Sequence, residues 1–158
     1  GALHHEVVDA VLGAGGAARA VVAALIEVGV PEIRLANRTR ARADAIRQDF
    51  GAKIHVHEWV QAPNLLDDAV TVINTTSLGM TGKQEFHVPL HRLNPGALCN
   101  DLVYTPLKTQ FLIEAEERGA SVVDGLGMLL HQAAPGFERW FGTRPEVDEA
   151  ARKAVLAA

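Results

Sequence analysis

The chain has 158 residues, 48% of them hydrophobic and 22% charged, which suits one folded domain and excludes intrinsic disorder. It contains no run of about 18 uncharged apolar residues to span a membrane, and its single cysteine, Cys99, excludes a disulfide framework and a cysteine-rich zinc site and fits a reducing compartment. A net charge of −4 argues against a nucleic-acid surface. The opening Gly1-Ala2-Leu3-His4-His5 shows no leader pattern and enters a strand almost at once, an abruptness expected of a piece cut from something longer.

In chain order, residues 6–12 read as a short buried strand ending at Gly13. Residues 17–28 follow with the helical spacing of Val21, Val22, Leu25 and Ile26, and Gly29 stands as a C-terminal cap. Residues 32–36 form strand two. Thr39 is placed to cap a helix that runs to Phe50 and closes at Gly51. Residues 53–57 alternate Ile54 and Val56 inward with His55 and His57 outward as strand three. Residues 63–69 are a short helix at most, with Trp59 packed against it. Strands four and five fall at 70–74 and 97–103, the latter holding Cys99. Between them Gly79, Gly82, Pro89, Pro95 and Gly96 predict loop with at most one helical turn. Pro106 suits the first turn of a helix to Arg118, stopped by Gly119. Residues 121–124 are strand six, and 127–141 and 145–156 are helical.

Short apolar strands alternating with helices or loops predict an α/β fold, a doubly wound and mostly parallel six-stranded sheet with helices on both faces. Ligands of such sheets bind at the carboxyl edge, near the point where the strand order reverses. Asp9, a charge inside the strand expected at the centre, leaves the N-terminal register open together with His4 and His5.

Gly13-Ala14-Gly15-Gly16-Ala17-Ala18 has the G-x-G-x-x-A form between a strand and a helix. Gly13 permits the tight turn, Gly15 leaves room for a pyrophosphate, and Ala18 allows close helix packing. The helix N-terminus adds free N–H groups and a positive dipole. Small residues also serve simple helix–strand packing, but the strand–turn–helix context favours dinucleotide binding and a Rossmann-type sheet. At the end of strand two, Ala36-Asn37-Arg38-Thr39-Arg40-Ala41-Arg42 offers no carboxylate for a ribose 2′-hydroxyl before Asp44. Three arginines crowd the start of the helix instead, where the dipole disfavours each by about 0.3–1 kcal/mol. A bound 2′-phosphate would reverse that penalty, so the segment predicts NADP(H) over NAD(H). A solvated arginine face is the alternative.

With these motifs the chain resembles shikimate dehydrogenases. The resemblance extends through Asn74-Thr75-Thr76-Ser77-Leu78-Gly79-Met80, Asp101-Leu102-Val103-Tyr104-Thr105-Pro106-Leu107-Lys108-Thr109 and Gly125-Leu126-Gly127-Met128-Leu129-Leu130-His131-Gln132-Ala133-Ala134. It implies NADPH-linked reduction of 3-dehydroshikimate to shikimate, a cytoplasmic step of aromatic amino-acid biosynthesis. By position, it implies that Gly13, Ala14, Gly15, Gly16 and Ala17 bind pyrophosphate and that Asn37, Arg38, Thr39 and Arg42 hold the adenosine ribose and its 2′-phosphate. Thr76, Ser77 and Leu102 would border the cofactor, Gly125 and Met128 the nicotinamide, and Tyr104 and Gln132 would contact substrate. Asn74, Leu102 and Gly125 sit at expected strand ends facing the crevice.

The family has two domains, and the resemblance assigns residues 1–126 to the cofactor domain and 127–158 to helices that pack back on a substrate domain. That other domain supplies Asn-Val-Thr-x-Pro-x-Lys and an Asn-x-Asp aspartate, neither of which occurs here. Without a proton donor for the developing alkoxide, the chain alone is expected to bind cofactor and turn over nothing, with no catalytic residue of its own. Leu129, Leu130, Phe137, Trp140 and Phe141 would lose part of their cover, which favours self-association or a rearranged helix, with a homodimer or aggregate expected. Two other readings stay open: a quinate or broader polyol dehydrogenase half, and a stand-alone dinucleotide-binding or redox-sensing module. Tyr104 and Gln132, polar groups aimed at a cyclohexene substrate, separate the enzymes from the sensor. No metal is expected, because His55 and His57 lack a third ligand nearby. His131 reads as lining, Cys99 as buried and unreactive, and Glu114, Glu116, Glu117 and Arg118 as an exposed helix face.

Overall fold

The computed structural model describes residues 8–103 and 108–124. They contain β1 (Val8–Leu12), α1 (Gly16–Glu27), β2 (Glu32–Asn37), α2 (Arg40–Phe50), β3 (Ile54–Glu58), a 3-10 turn (Trp59–Gln61), α3 (Ala62–Leu65), β4 (Ala69–Asn74), β5 (Leu98–Asp101), α4 (Gln110–Glu117) and β6 (Ser121–Val123). The strands form one sheet in the order β3-β2-β1-β4-β5-β6, and every pairing is parallel. The expected doubly wound sheet is therefore present. The chain steps outward from β1 to β3, then returns to the other side of β1 as β4, so the order reverses between β1 and β4.

Successive strand residues point to opposite faces, and the apolar side chains sort accordingly. Ala10, Leu12, Val72 and Cys99 join one core with Leu65, Phe111 and Leu112. Val11, Leu35 and Ile73 join a second core with Val21, Val22 and Ile46. Helices α1 and α2 thus cover one face. The other is covered by α3, α4 and the loop after β4, which contributes Leu78, Phe86, Val88, Leu90 and Leu93.

Several boundaries differ from expectation. The helix expected over 63–69 starts earlier, as the 3-10 turn at Trp59 followed by α3, because Glu58 and Gln61 form a reciprocal capping box. The segment between β4 and β5 contains no helix. Strand five ends at Asp101, whose carboxylate accepts from Val103 N at 2.9 Å and turns the chain out of the sheet. Helix α4 begins at Gln110 and not at Pro106, since Thr109 adopts an extended conformation and accepts from Leu112 N as the N-cap. The expected helices at 127–141 and 145–156, and with them His131, lie outside the described residues.

The register of β1 is set from Val8 onward, with Asp9 opposite Ile33 on β2 and Thr71 on β4, and a shift between Val8 and Asp9 on the β4 side. Asp9 is 4% exposed. Its side chain bonds Thr71, its Oδ1 has no partner among the described residues, and burial pushes its carboxyl up to about 6. Cys99 is fully buried, and burial pushes its thiol up to about 12, the state of a packing residue. Trp59 is half-buried against the core that includes Leu65 and Leu66. No described helix is long and apolar enough to cross a membrane.

Candidate functional site

Because the sheet is parallel, the C-terminal ends of β1, β2, β4 and β5 bring Gly13–Ala17, Asn37–Thr39, Thr76–Ser77 and Leu102 to one edge. At its centre, Gly13 N donates to Ala36 O at 2.8 Å while Thr75 N and Thr75 Oγ1 both donate to Leu12 O, at 2.8 and 2.7 Å. The turn after β1 is thereby locked to both neighbours of β1. Gly13 has φ +115, and a Cβ there would overlap the Thr75 hydroxyl. Close approach of the two turns at the reversal point therefore requires glycine.

Gly15 and Gly16 behave differently, since a Cβ built on either meets nothing within 4 Å. Their smallness serves no packing among the described residues, so the packing alternative for this motif is confined to Gly13 and the fully buried Ala18. Helix α1 starts with no side-chain cap and no acidic residue in its first turn. The first N–H groups of a helix lack intrahelical partners, and no side chain caps them here. Backbone donors, a positive helix end and room beside them fit a pyrophosphate group.

The arginines beyond β2 divide into two kinds. Arg40 donates to Glu58 Oε1 at 2.7 Å and lies 3.6 Å from Asp44 Oδ1. These carboxylates, Glu58 first, hold its guanidinium still more firmly protonated and answer the dipole penalty that the sequence assigned to it. Arg38 instead donates to the neutral amide of Gln84, Nη1 to Oε1, at 2.8 Å. Arg42 is exposed and has no ion pair among the described residues. Asn37 Nδ2 donates to Thr39 O at 2.8 Å, which shapes the turn into α2. The structure thus leaves Arg38 and Arg42 available to an anion and removes Arg40.

On the other flank lies a buried polar network. Asn74, Asp101 and Thr109 are each fully buried. Asn74 Nδ2 donates to Asp101 Oδ1 at 3.1 Å, and Asn74 Oδ1 accepts from Thr76 N and Thr76 Oγ1 at 3.0 and 2.6 Å. Thr109 Oγ1 donates to Asp101 Oδ2 at 2.7 Å. Leu102 N donates to Asn74 O at 2.9 Å. Burial pushes Asp101 up to about 6 against the pull of these bonds. Asn74 is therefore a bracket that shapes the Thr76–Leu78 turn, and the expectation that it faces the crevice is corrected. Thr76 and Leu102 are half-buried at the edge, and Ser77 is exposed there.

Tyr104, Gly125, Met128 and Gln132 lie outside the described residues. Sequence reasoning missed Gln84 and Glu58. Glu58 ends strand three and could have been weighed as a partner for the arginines, but nothing local marks Gln84. His55 is exposed and His57 half-buried, and burial depresses the His57 imidazole. No group of three or more metal-ligating side chains occurs among the described residues.

A family model described as Shikimate / quinate 5-dehydrogenase matches residues 3–83, and one described as Shikimate 5′-dehydrogenase C-terminal domain matches residues 125–156. The chain is 76% identical over 148 residues to a shikimate dehydrogenase (NADP(+)) of Cereibacter sphaeroides, covering 94% of this chain and 53% of that protein. Among solved structures, shikimate 5-dehydrogenase from Thermus thermophilus, in complex with NADP(H) and shikimate, superposes with TM-score 0.73 at 38% identity, over 92% of this chain and 54% of that one. Quinate dehydrogenase from Corynebacterium glutamicum, in complex with NAD, superposes with TM-score 0.80 at 27% identity, over 97% and 56%. The chain spans about half the length of the curated relatives it matches.

Proposed function

We propose, on the premise that this chain belongs to the shikimate / quinate 5-dehydrogenase family, that it is the NADP(H)-binding half of a shikimate dehydrogenase. The observation that carries the proposal is the pairing, on one sheet edge, of an uncapped helix end beside open glycines with arginines that no carboxylate neutralises. The turn Gly13–Ala17 would receive the pyrophosphate, and Asn37, Arg38, Thr39 and Arg42 the ribose and its 2′-phosphate, with Thr76, Ser77 and Leu102 along the crevice. The reduced nicotinamide, when bound, supplies the hydride that converts the ketone of 3-dehydroshikimate to an alcohol. For the remaining roles the proposal draws on Gly125 and Met128 near the nicotinamide and on Tyr104 and Gln132 toward substrate. It places the proton donor for the alkoxide outside these 158 residues, since the lysine and aspartate motifs of the resemblance are absent from them. Lys108, the lysine within the Asp101–Thr109 motif, is paired with Glu116 at 2.5 Å.

The same proposal includes residues 127–158 as helices that pack on a substrate domain, a homodimer formed through them where that domain is absent, and a cytoplasmic location. Quinate is the second reading for the substrate, favoured by the likeness to the Corynebacterium glutamicum enzyme. The cofactor claim is tested by titrating the chain with NADPH and with NADH. Tighter binding of NADPH by tenfold or more is the expected result, and equal affinities refute it.

A further inference from the structure

We propose that Gln84 is a positioning residue for cofactor choice: its neutral carboxamide aims the Arg38 guanidinium while leaving its charge free for a 2′-phosphate. This inference rests on the NADP reading above and concerns how that preference arises. Arg38 and Gln84 meet at 2.8 Å although 46 residues separate them. Gln84 is itself held in place. Its backbone carbonyl accepts from Gly79 N at 2.7 Å, and Lys83 N donates to Met80 O at 2.9 Å within the same loop. Leu78 and Phe86 are buried on either side of that loop, with the Phe86 ring centroid 4.8 Å from that of Phe111.

The choice of side chain is informative. Glu85 follows Gln84 directly, yet its carboxylate lies 3.4 Å from His87 Nε2, so of two adjacent side chains the uncharged one reaches Arg38. Arg40 shows the contrary case, held by Glu58 and Asp44. A carboxylate on Arg38 would form an ion pair that an arriving dianion must break, and would repel the dianion as well. An amide oxygen supplies direction at no net charge. Arg38 and Gln84 also line one open groove of about 480 Å³ with Trp59, Leu78, Val88, Glu85 and His87, a groove whose wall does not include the Gly13–Ala17 turn.

The test titrates wild type, Q84E and Q84A of the 158-residue chain with NADPH and with NADH. Q84E is expected to weaken NADPH about tenfold and Q84A about threefold, each leaving NADH within about twofold, and a Q84A chain that binds NADPH as wild type does overturns the positioning role. Equal losses for both cofactors would show a purely structural role and overturn the proposal, as would unchanged NADPH binding in Q84E. A wild-type chain that binds both cofactors equally overturns the NADP reading, and this inference with it. A wild-type chain that prefers NADPH alongside an unaltered Q84E overturns this inference alone.

Discussion

Replacing Asp9 by asparagine is expected to stabilise the fold at neutral pH and to leave it unchanged in acid. The carboxyl sits on the second residue of β1, a central strand of the sheet, 4% exposed, with Thr71 as its side-chain partner and one oxygen unpartnered among the described residues. Burial raises it from 3.8 to about 6. The folded state therefore holds its proton more tightly than the unfolded chain. Below 3.8 the carboxyl is protonated in both states and costs nothing, through the interval up to 6 stability falls as pH rises, and above 6 the whole penalty is present. A shift of this size corresponds to about 3 kcal/mol at roughly 1.36 kcal/mol per unit. Asp101 acts in the same direction, while His57, depressed by burial, acts in the opposite one, losing stability as pH falls through its ordinary range. The difference between wild type and Asp9→Asn removes both contributions. Asparagine keeps the shape and an acceptor for Thr71. Urea unfolding followed by circular dichroism should place the variant up to about 3 kcal/mol above wild type at pH 7.5, a midpoint shift of roughly 1–2 M. At pH 4 the gap should close to within about 0.5 kcal/mol. A variant no more stable than wild type at pH 7.5, or a gap of equal size at both pH values, refutes the reasoning.

Two further substitutions probe the site. Arg38→Ala should weaken NADPH binding by roughly 10- to 100-fold, the loss of one charge-assisted contact, whereas Arg40→Ala should stay within about twofold because Glu58 and Asp44 already occupy it; parallel calorimetric titrations check the contrast, and equal losses contradict the division of the arginines. Gly13→Ala should cost about 1–3 kcal/mol in thermal or urea unfolding, from left-handed backbone strain and the collision with the Thr75 hydroxyl. Adding Thr75→Ala should recover the collision part and leave the strain, so a double variant that is simply the sum of the singles contradicts the proposed contact.

Much of this architecture was legible along the chain. Apolar runs bounded by Gly13, Gly29, Gly51 and Gly119 placed all six strands and the helices α1 and α2 within a few residues, because hydrophobic period and backbone stops are local properties. The glycine motif and the absence of a carboxylate after strand two were equally visible. Errors arose where a distant side chain overrode local preference. Pro106 is a good helix opener, but helix α4 waits for Thr109, whose hydroxyl is engaged by Asp101 eight residues earlier on another element. Asn74 reads as a polar strand end facing a ligand, but Asp101 lies 27 residues on and draws it into a buried bracket.

The arginine cluster shows the division most plainly. Three guanidiniums within five positions are a fact of residue order, and so is their excess positive charge. Which of them remains open to an anion depends on Glu58 and Gln84, 18 residues from Arg40 and 46 from Arg38, and these arrive only when β3 pairs with β2 and the loop after β4 folds over the same edge. Charge belongs to a residue wherever it stands. The counter-charge that cancels it is a matter of distance in space, and the parallel sheet sets that distance by aligning strand ends that the chain keeps far apart.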